Sequence, residues 1–237
     1  MFRRLLMSVA LLALFLPAVV LADNIGQINQ VLQGNDFILT DNTTNETLTG
    51  TTQVYFTYAP GLVPLFGVNQ QAATLTISAQ TFTATDGSDL IEGGWSGYFK
   101  IIDNYNNQNL LTGTFGTYNG DAPTGKGSLN GDGYEMTFAD STSATSTTQV
   151  VFTSAYLNFM GSTQHQAFSF SLSNLSPVLS IETDNFLSSA TAAGTGTFSA
   201  TPGPTPMGPE PATLWLTAGA LAGFGFLVRK RKLRRVS

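Results

Sequence analysis

The sequence predicts an all-β body, an antiparallel β-sandwich or jelly roll, on three observations. Apolar and hydroxyl residues alternate with a period of two in several stretches. Clusters of Gly, Asn and Asp interrupt those stretches about every ten residues, and no part of the chain between its two termini keeps a helical period over a useful length. A strand with one dry and one wet face needs that alternation. Tight turns between such strands need the positive backbone angles that Gly, Asn and Asp supply.

The strands follow in order. Residues 53–58 alternate around an apolar face. Residues 73–79 do so more cleanly, with Leu75 and Ile77 on one side and hydroxyls on the other. Residues 95–100 place Trp95 and Phe99 on one face and Tyr98 on the opposite one, which assigns Trp95 to the core. Residues 167–175 direct Phe168, Phe170 and Leu172 to a common side. The turn signals are Asp86-Gly87, Gly93-Gly94, Asn119-Gly120-Asp121 and Asn130-Gly131-Asp132-Gly133. Roughly ten strands fit this length, and open sheets of that size usually fold over into two packed layers.

An internal echo accompanies the alternation. Residues 51–59 and 147–155 agree at seven of nine positions at an offset of 96. Gln71-Ala72 then meets Gln166-Ala167, and Gly97-Tyr98-Phe99 meets Gly196-Thr197-Phe198, at nearly the same offset. Either two related β-units, about 35–120 and 125–200, make up the body, or a Thr-rich chain repeats itself by chance.

The two ends have a different character. Arg3 and Arg4 precede an apolar run over residues 5–16, and Val20-Leu21-Ala22 supplies compact residues at a cleavage site. Residues 1–22 therefore read as a signal peptide cut between Ala22 and Asp23. Pro17 and the shortness of the run argue against an uncleaved anchor, since a spanning helix takes about 20 apolar residues. At the other end a Pro/Gly/Thr linker, 201–207, leads to Gly208-Pro209-Glu210-Pro211. An uncharged apolar segment, 212–228, follows, and then the basic residues Arg229, Lys230, Arg231, Lys232, Arg234 and Arg235. The apolar segment has the minimum length for a transmembrane helix. Its basic flank sets the topology by staying in the cytoplasm, which leaves the body outside. Pro209 and Pro211 hold the chain extended just outside the bilayer.

This order of Pro-Glu-Pro, membrane segment and basic stop over 208–235 resembles the PEP-CTERM sorting signal. Many members of that family carry Val before the first Pro, where this chain has Gly208. The resemblance implies an exported protein of a Gram-negative bacterium, held transiently in the inner membrane and processed by an exosortase. Pro209, Glu210 and Pro211 would be its recognition residues. It also implies a place at the cell surface or in an exopolysaccharide and biofilm matrix. The partners then expected are the Sec translocon, signal peptidase, the exosortase and extracellular polysaccharide.

With both ends removed, the body 23–200 and its linker retain only Lys100 and Lys126 against fourteen acids, a net charge of −12. Such a surface repels nucleic acid, so no nucleic-acid partner is expected. The chain has no cysteine, which excludes disulfides, thiolate metal sites and cysteine catalysis. A body of this size must rest on a hydrophobic core.

The candidate sites are sparse. His165 is the single histidine, and no Gly-x-Ser-x-Gly elbow accompanies it, so it reads as a solvated loop residue before a strand. Asp86, Asp89 and Glu92 beside Trp95, and Asp132 with Glu135, are the carboxylate groupings that a glycosidase would need to bring together across a cleft. Asp86-Gly87-Ser88-Asp89 and Asn130-Gly131-Asp132-Gly133 are loosely similar to calcium loops but lack their spacing. Ca²⁺ is thus the one ion worth testing, and no metal ligand or cofactor is otherwise expected. Asn42-Thr43-Thr44 and Asn45-Glu46-Thr47 read as ordinary loop residues in a bacterium.

Three functions compete for the body. A structural or adhesive matrix component without a catalytic centre is the first, and it is not an enzyme. A carbohydrate-binding module would show Tyr98, Tyr105, Tyr118 and Tyr134 as an aromatic row on one wet face. A glycan-active enzyme would show two facing carboxylates in a cleft.

Overall fold

A computed structural model describes residues 23–32, 34–62, 70–85, 90–116, 127–131, 133–141, 150–160, 165–201 and 203–206. The expected signal peptide, Pro209-Glu210-Pro211, the membrane segment and its basic flank all lie outside the described residues. Asp23, on the far side of the expected cut, is the first residue of β1.

The described residues are all-β. The strands are β1 (Asp23–Gln30), β2 (Phe37–Asp41), β3 (Glu46–Tyr58), β4 (Gln70–Thr81), β5 (Ile91–Asp103), β6 (Asn109–Phe115) and β7 (Gly127–Gly131). They continue with β8 (Met136–Ser141), β9 (Val151–Thr153), β10 (Leu157–Asn158), β11 (His165–Ser176), β12 (Ala190–Thr201) and β13 (Thr205–Pro206). Every pairing between them is antiparallel.

Eleven strands form one sheet, and its pairings run in a closed circuit. β12 bonds β11 on one side and both β1 and β2 on the other. β1 and β2 each bond a different half of β3, which continues through β4 to β5. The first part of β5 then bonds β7, which leads through β8 back to β11. The second part of β5 bonds β6, and β9 follows as a branch. A circuit of this kind leaves no open backbone edge along its path. Part of the linker also folds back: Thr205–Pro206 pair with Leu157–Asn158, and the Gly203 N–H donates to Asp23 Oδ2 at 3.2 Å.

Alternation puts the core where the sequence places it. Ala73, Leu75, Ile77 and Ala79 of β4 face inward, as do Phe168, Phe170 and Leu172 of β11, and Trp95 is fully buried. The centre of the core is Phe99, whose ring lies 5.0 Å from that of Phe198 and 5.4 Å from those of Phe168 and Phe170. Room for it is made by Gly113 on the neighbouring β6, where an added Cβ would lie 2.3 Å from the Phe99 ring. A single buried cluster draws residues from β1 to β6 and from β8 to β12. The echo in the sequence falls on unlike positions. β3 is a thirteen-residue strand inside the circuit, whereas its counterpart β9 has three residues and, among the described residues, pairs with β6.

One turn signal has a different outcome. Gly93-Gly94 lies within β5 as a β-bulge, since the register steps from Glu92↔Leu129 to Trp95↔Gly127 and so holds one extra residue on β5. Gly94 has φ +73°, and a Cβ there would sit 2.3 Å from Thr83 Oγ1. Glycine is what this backbone admits. The Asn130–Gly133 signal does mark the β7–β8 turn, with Gly133 at φ +90°.

Candidate functional site: a sealed acid pair and an open hydroxyl face

The bulge has a chemical consequence. Counting back from Trp95 by strict alternation would turn Glu92 outward, but the extra residue turns it inward. Glu46 is inward for a simpler reason, being in phase with Leu48, Val54 and Phe56 along β3. Both carboxyls are 0 % exposed. They meet at one end of the closed sheet, where Glu46 is registered with Thr81 of β4. Thr81 Oγ1 in turn donates to the Gly93 carbonyl at 2.7 Å and accepts the Thr83 N–H at 3.0 Å, which pins the bulge in place.

Glu46 Oε2 accepts the Leu187 N–H at 3.3 Å. The other three carboxyl oxygens have no partner apart from the facing carboxyl. Burial, then contact with and repulsion from Glu92, hold the Glu46 carboxyl far above the ordinary range, with the Leu187 N–H acting in the opposite sense and Asp41 adding to the rise. Burial also pushes Glu92 up to about 7, with Asp41 adding and the hydrogen bond from Glu46 opposing. Both carboxyls are thus raised by the same burial, and the proton they retain belongs to the pair.

The connection between β11 and β12, residues 177–189, closes this end. Within it the Ser188 N–H donates to the Ser180 carbonyl and Ile181 bridges to Leu187. Its own Phe186 and Leu187 side chains are buried. It is tied to the sheet by Leu187 on Glu46, by both the N–H and the hydroxyl of Thr85 on the Asn185 carbonyl, and by the Leu179 N–H on Gly133.

The pair is therefore not a glycosidase centre as it stands. Such chemistry needs two carboxyls that flank a bound sugar in a cleft, whereas both of these are wholly buried beneath a lid of chain. The sequence grouping that suggested a cleft is only partly visible. Asp86, Asp89 and Asp132 lie outside the described residues, and Glu92 finds Glu46, which reading along the chain had not singled out. Its signal was there: a carboxylate in phase with the apolar side of an alternating strand. Glu135 is exposed in the β7–β8 turn. His165 begins β11 opposite Thr201, one step inside the strand it was expected to precede. Among the described residues no group of three or more His, Cys, Asp or Glu is placed to hold a metal ion.

The second feature is open. On the outer face of β3 to β6, hydroxyl residues stand in register across four strands. Thr49, Ser78, Tyr98 and Thr114 form one row, and Thr51, Thr76, Lys100 and Thr112 the next. Thr47, Gln80 and Ser96 extend them, and the surface dips into a hollow of about 500 Å³ beside Tyr98. Lys100 Nζ stands 4.9 Å from the centre of the Tyr98 ring.

The expected aromatic row does not form among the described residues. Tyr98 is 36 % exposed in mid-sheet, Tyr105 is 96 % exposed beyond the end of β5, and Tyr134 is 64 % exposed in the β7–β8 turn beside its beginning. Tyr118 lies outside the described residues. Comparison with family models, with curated proteins and with solved structures finds no match for this chain.

Proposed function

We propose that the protein is exported through the general secretory pathway, processed at Pro209-Glu210-Pro211 by an exosortase, and retained at the cell surface or in an exopolysaccharide matrix. Its body, a jelly-roll-like closed sheet, serves there as a structural or adhesive element. The observation that carries the adhesive reading is the registered hydroxyl face of β3 to β6 with its hollow at Tyr98. Hydroxyls in regular rows suit the hydroxyls of an uncharged polysaccharide, and one aromatic edge gives a sugar face something to rest on. An acidic body of net charge −12 would disfavour anionic chains. The scatter of Tyr105 and Tyr134 weighs against a stacking platform of the kind a carbohydrate-binding module would use.

The sorting half of the proposal rests on the order of parts over 208–235. Replacing Pro209, Glu210 and Pro211 together by Ala should leave the full-length chain in the inner membrane of its native host, as seen by fractionation. Normal release of that variant would remove the exosortase from the account.

A further inference from the structure

Two carboxyls in contact, sealed from water and faced by no cation among the described residues, cannot both carry charge. At least one proton has to lie between them. Asp41, from the end of β2, is the charged group that acts on both, and it is another acid. The acids of the capping segment do not help: Glu182 is exposed, and Asp184 is half-buried with its Oδ1 taken by the Phe186 N–H. One member of the pair, Glu46, also accepts the Leu187 N–H of the segment. Closure of this end of the sheet is therefore linked to retention of the proton, because only the closed state keeps both carboxyls from water.

The geometry points to a proton-dependent latch: Glu46 and Glu92, sharing a proton, hold the 177–189 segment over the end of the closed sheet, and loss of that proton releases it. On opening, both carboxyls reach water and ionise as ordinary glutamates, with the protons passing to solvent. Both closed-state values are raised, so the closing energy is fully present below about 4.5 and drains away as pH rises, through about 7 for Glu92 and beyond that for Glu46. Each proton given up on opening makes the opening equilibrium up to about tenfold more favourable per pH unit in that window.

Hydrogen exchange on the full chain in detergent, corrected for intrinsic exchange rates, reads the latch directly. Protection of peptides covering Leu187 should fall by about tenfold or more between about pH 5 and about pH 8, while peptides covering Phe168 and Phe170 hold theirs. In the double variant Glu46→Gln, Glu92→Gln, which keeps donors and acceptors but cannot titrate, the fall should vanish. Should that variant not fold, Asp41→Asn serves instead. It removes the neighbouring charge that raises both groups, so the fall should shrink. Three results would overturn the latch: unchanged protection in the native chain, an undiminished fall in the variants, or restoration of protection at the higher pH by millimolar calcium alone, which would make the pair a cation site.

Discussion

The centre of the closed sheet and its capped end are built from the same alternation and face the same interior, yet they are held together by opposite means. At the centre Phe99 meets Phe168, Phe170 and Phe198 ring to ring, and nothing there requires a proton, a partner or a particular pH. At the end, the inward positions of β3 and β5 are taken by Glu46 and Glu92. Burying apolar rings is favourable in proportion to area. A buried carboxyl is tolerated only when neutralised or hydrogen-bonded. The centre thus supplies unconditional stability, and the end supplies stability that depends on conditions.

The largest test of that contrast is Phe99→Ala. Removing a central ring in contact with several others costs about 3–5 kcal/mol. Gly113, placed to receive that ring, leaves no side chain on β6 to collapse into the space. Urea unfolding of the full chain should show the loss at about pH 5 and about pH 8 alike, because nothing at the centre titrates. A loss that varied with pH would mean that centre and end are not independent.

A middle-sized test addresses the end. Gly94→Ala introduces a Cβ 2.3 Å from Thr83 Oγ1 on a backbone at φ +73°, whereas Gly93→Ala meets nothing within 4 Å. The first should cost about 1–3 kcal/mol and the second very little, although the two glycines are adjacent. If Gly94→Ala is accommodated by straightening the bulge, Glu92 turns outward. The pH dependence of the cap should then disappear together with the lost stability. Equal effects from both substitutions would mean that the bulge does not set the direction of Glu92.

The same contrast separates what could be read along the chain from what could not. Residues 73–79 and 167–175 alternate cleanly, so their inward faces follow from composition alone, and Trp95 was assigned to the core from its phase with Phe99. Gly93-Gly94 carried equal signal for a turn and for a bulge. The choice depends on whether β7 is there to continue the pairing, and that is a long-range fact. Reading a turn there hid the inward direction of Glu92. Glu46 escaped for a related reason: it looked like the start of a polar loop, although it keeps phase with Leu48. Closure of the sheet through β12 joins residues 23–29 to residues 195–200, and nothing local announces that contact.

The smallest expected effect on stability lies outside, on the hydroxyl face. Tyr98 is partly exposed, and its ring stands beside Lys100 in water, so a surface contact of this kind contributes little. Tyr98→Ala should change unfolding free energy by about 0.5 kcal/mol or less. If the face is adhesive, the same change should remove most of the binding to the host's own uncharged polysaccharide in a sedimentation assay. Thr49→Val and Thr114→Val, which delete one hydroxyl each from the row while keeping the β-branched shape, should weaken it by smaller steps. Undiminished binding by all three variants would move adhesion off this face and leave it as solvated sheet, without touching the acid-sealed end. A loss of stability approaching that of Phe99→Ala would instead show that the outer rows hold the sheet together as much as the Phe-filled interior does.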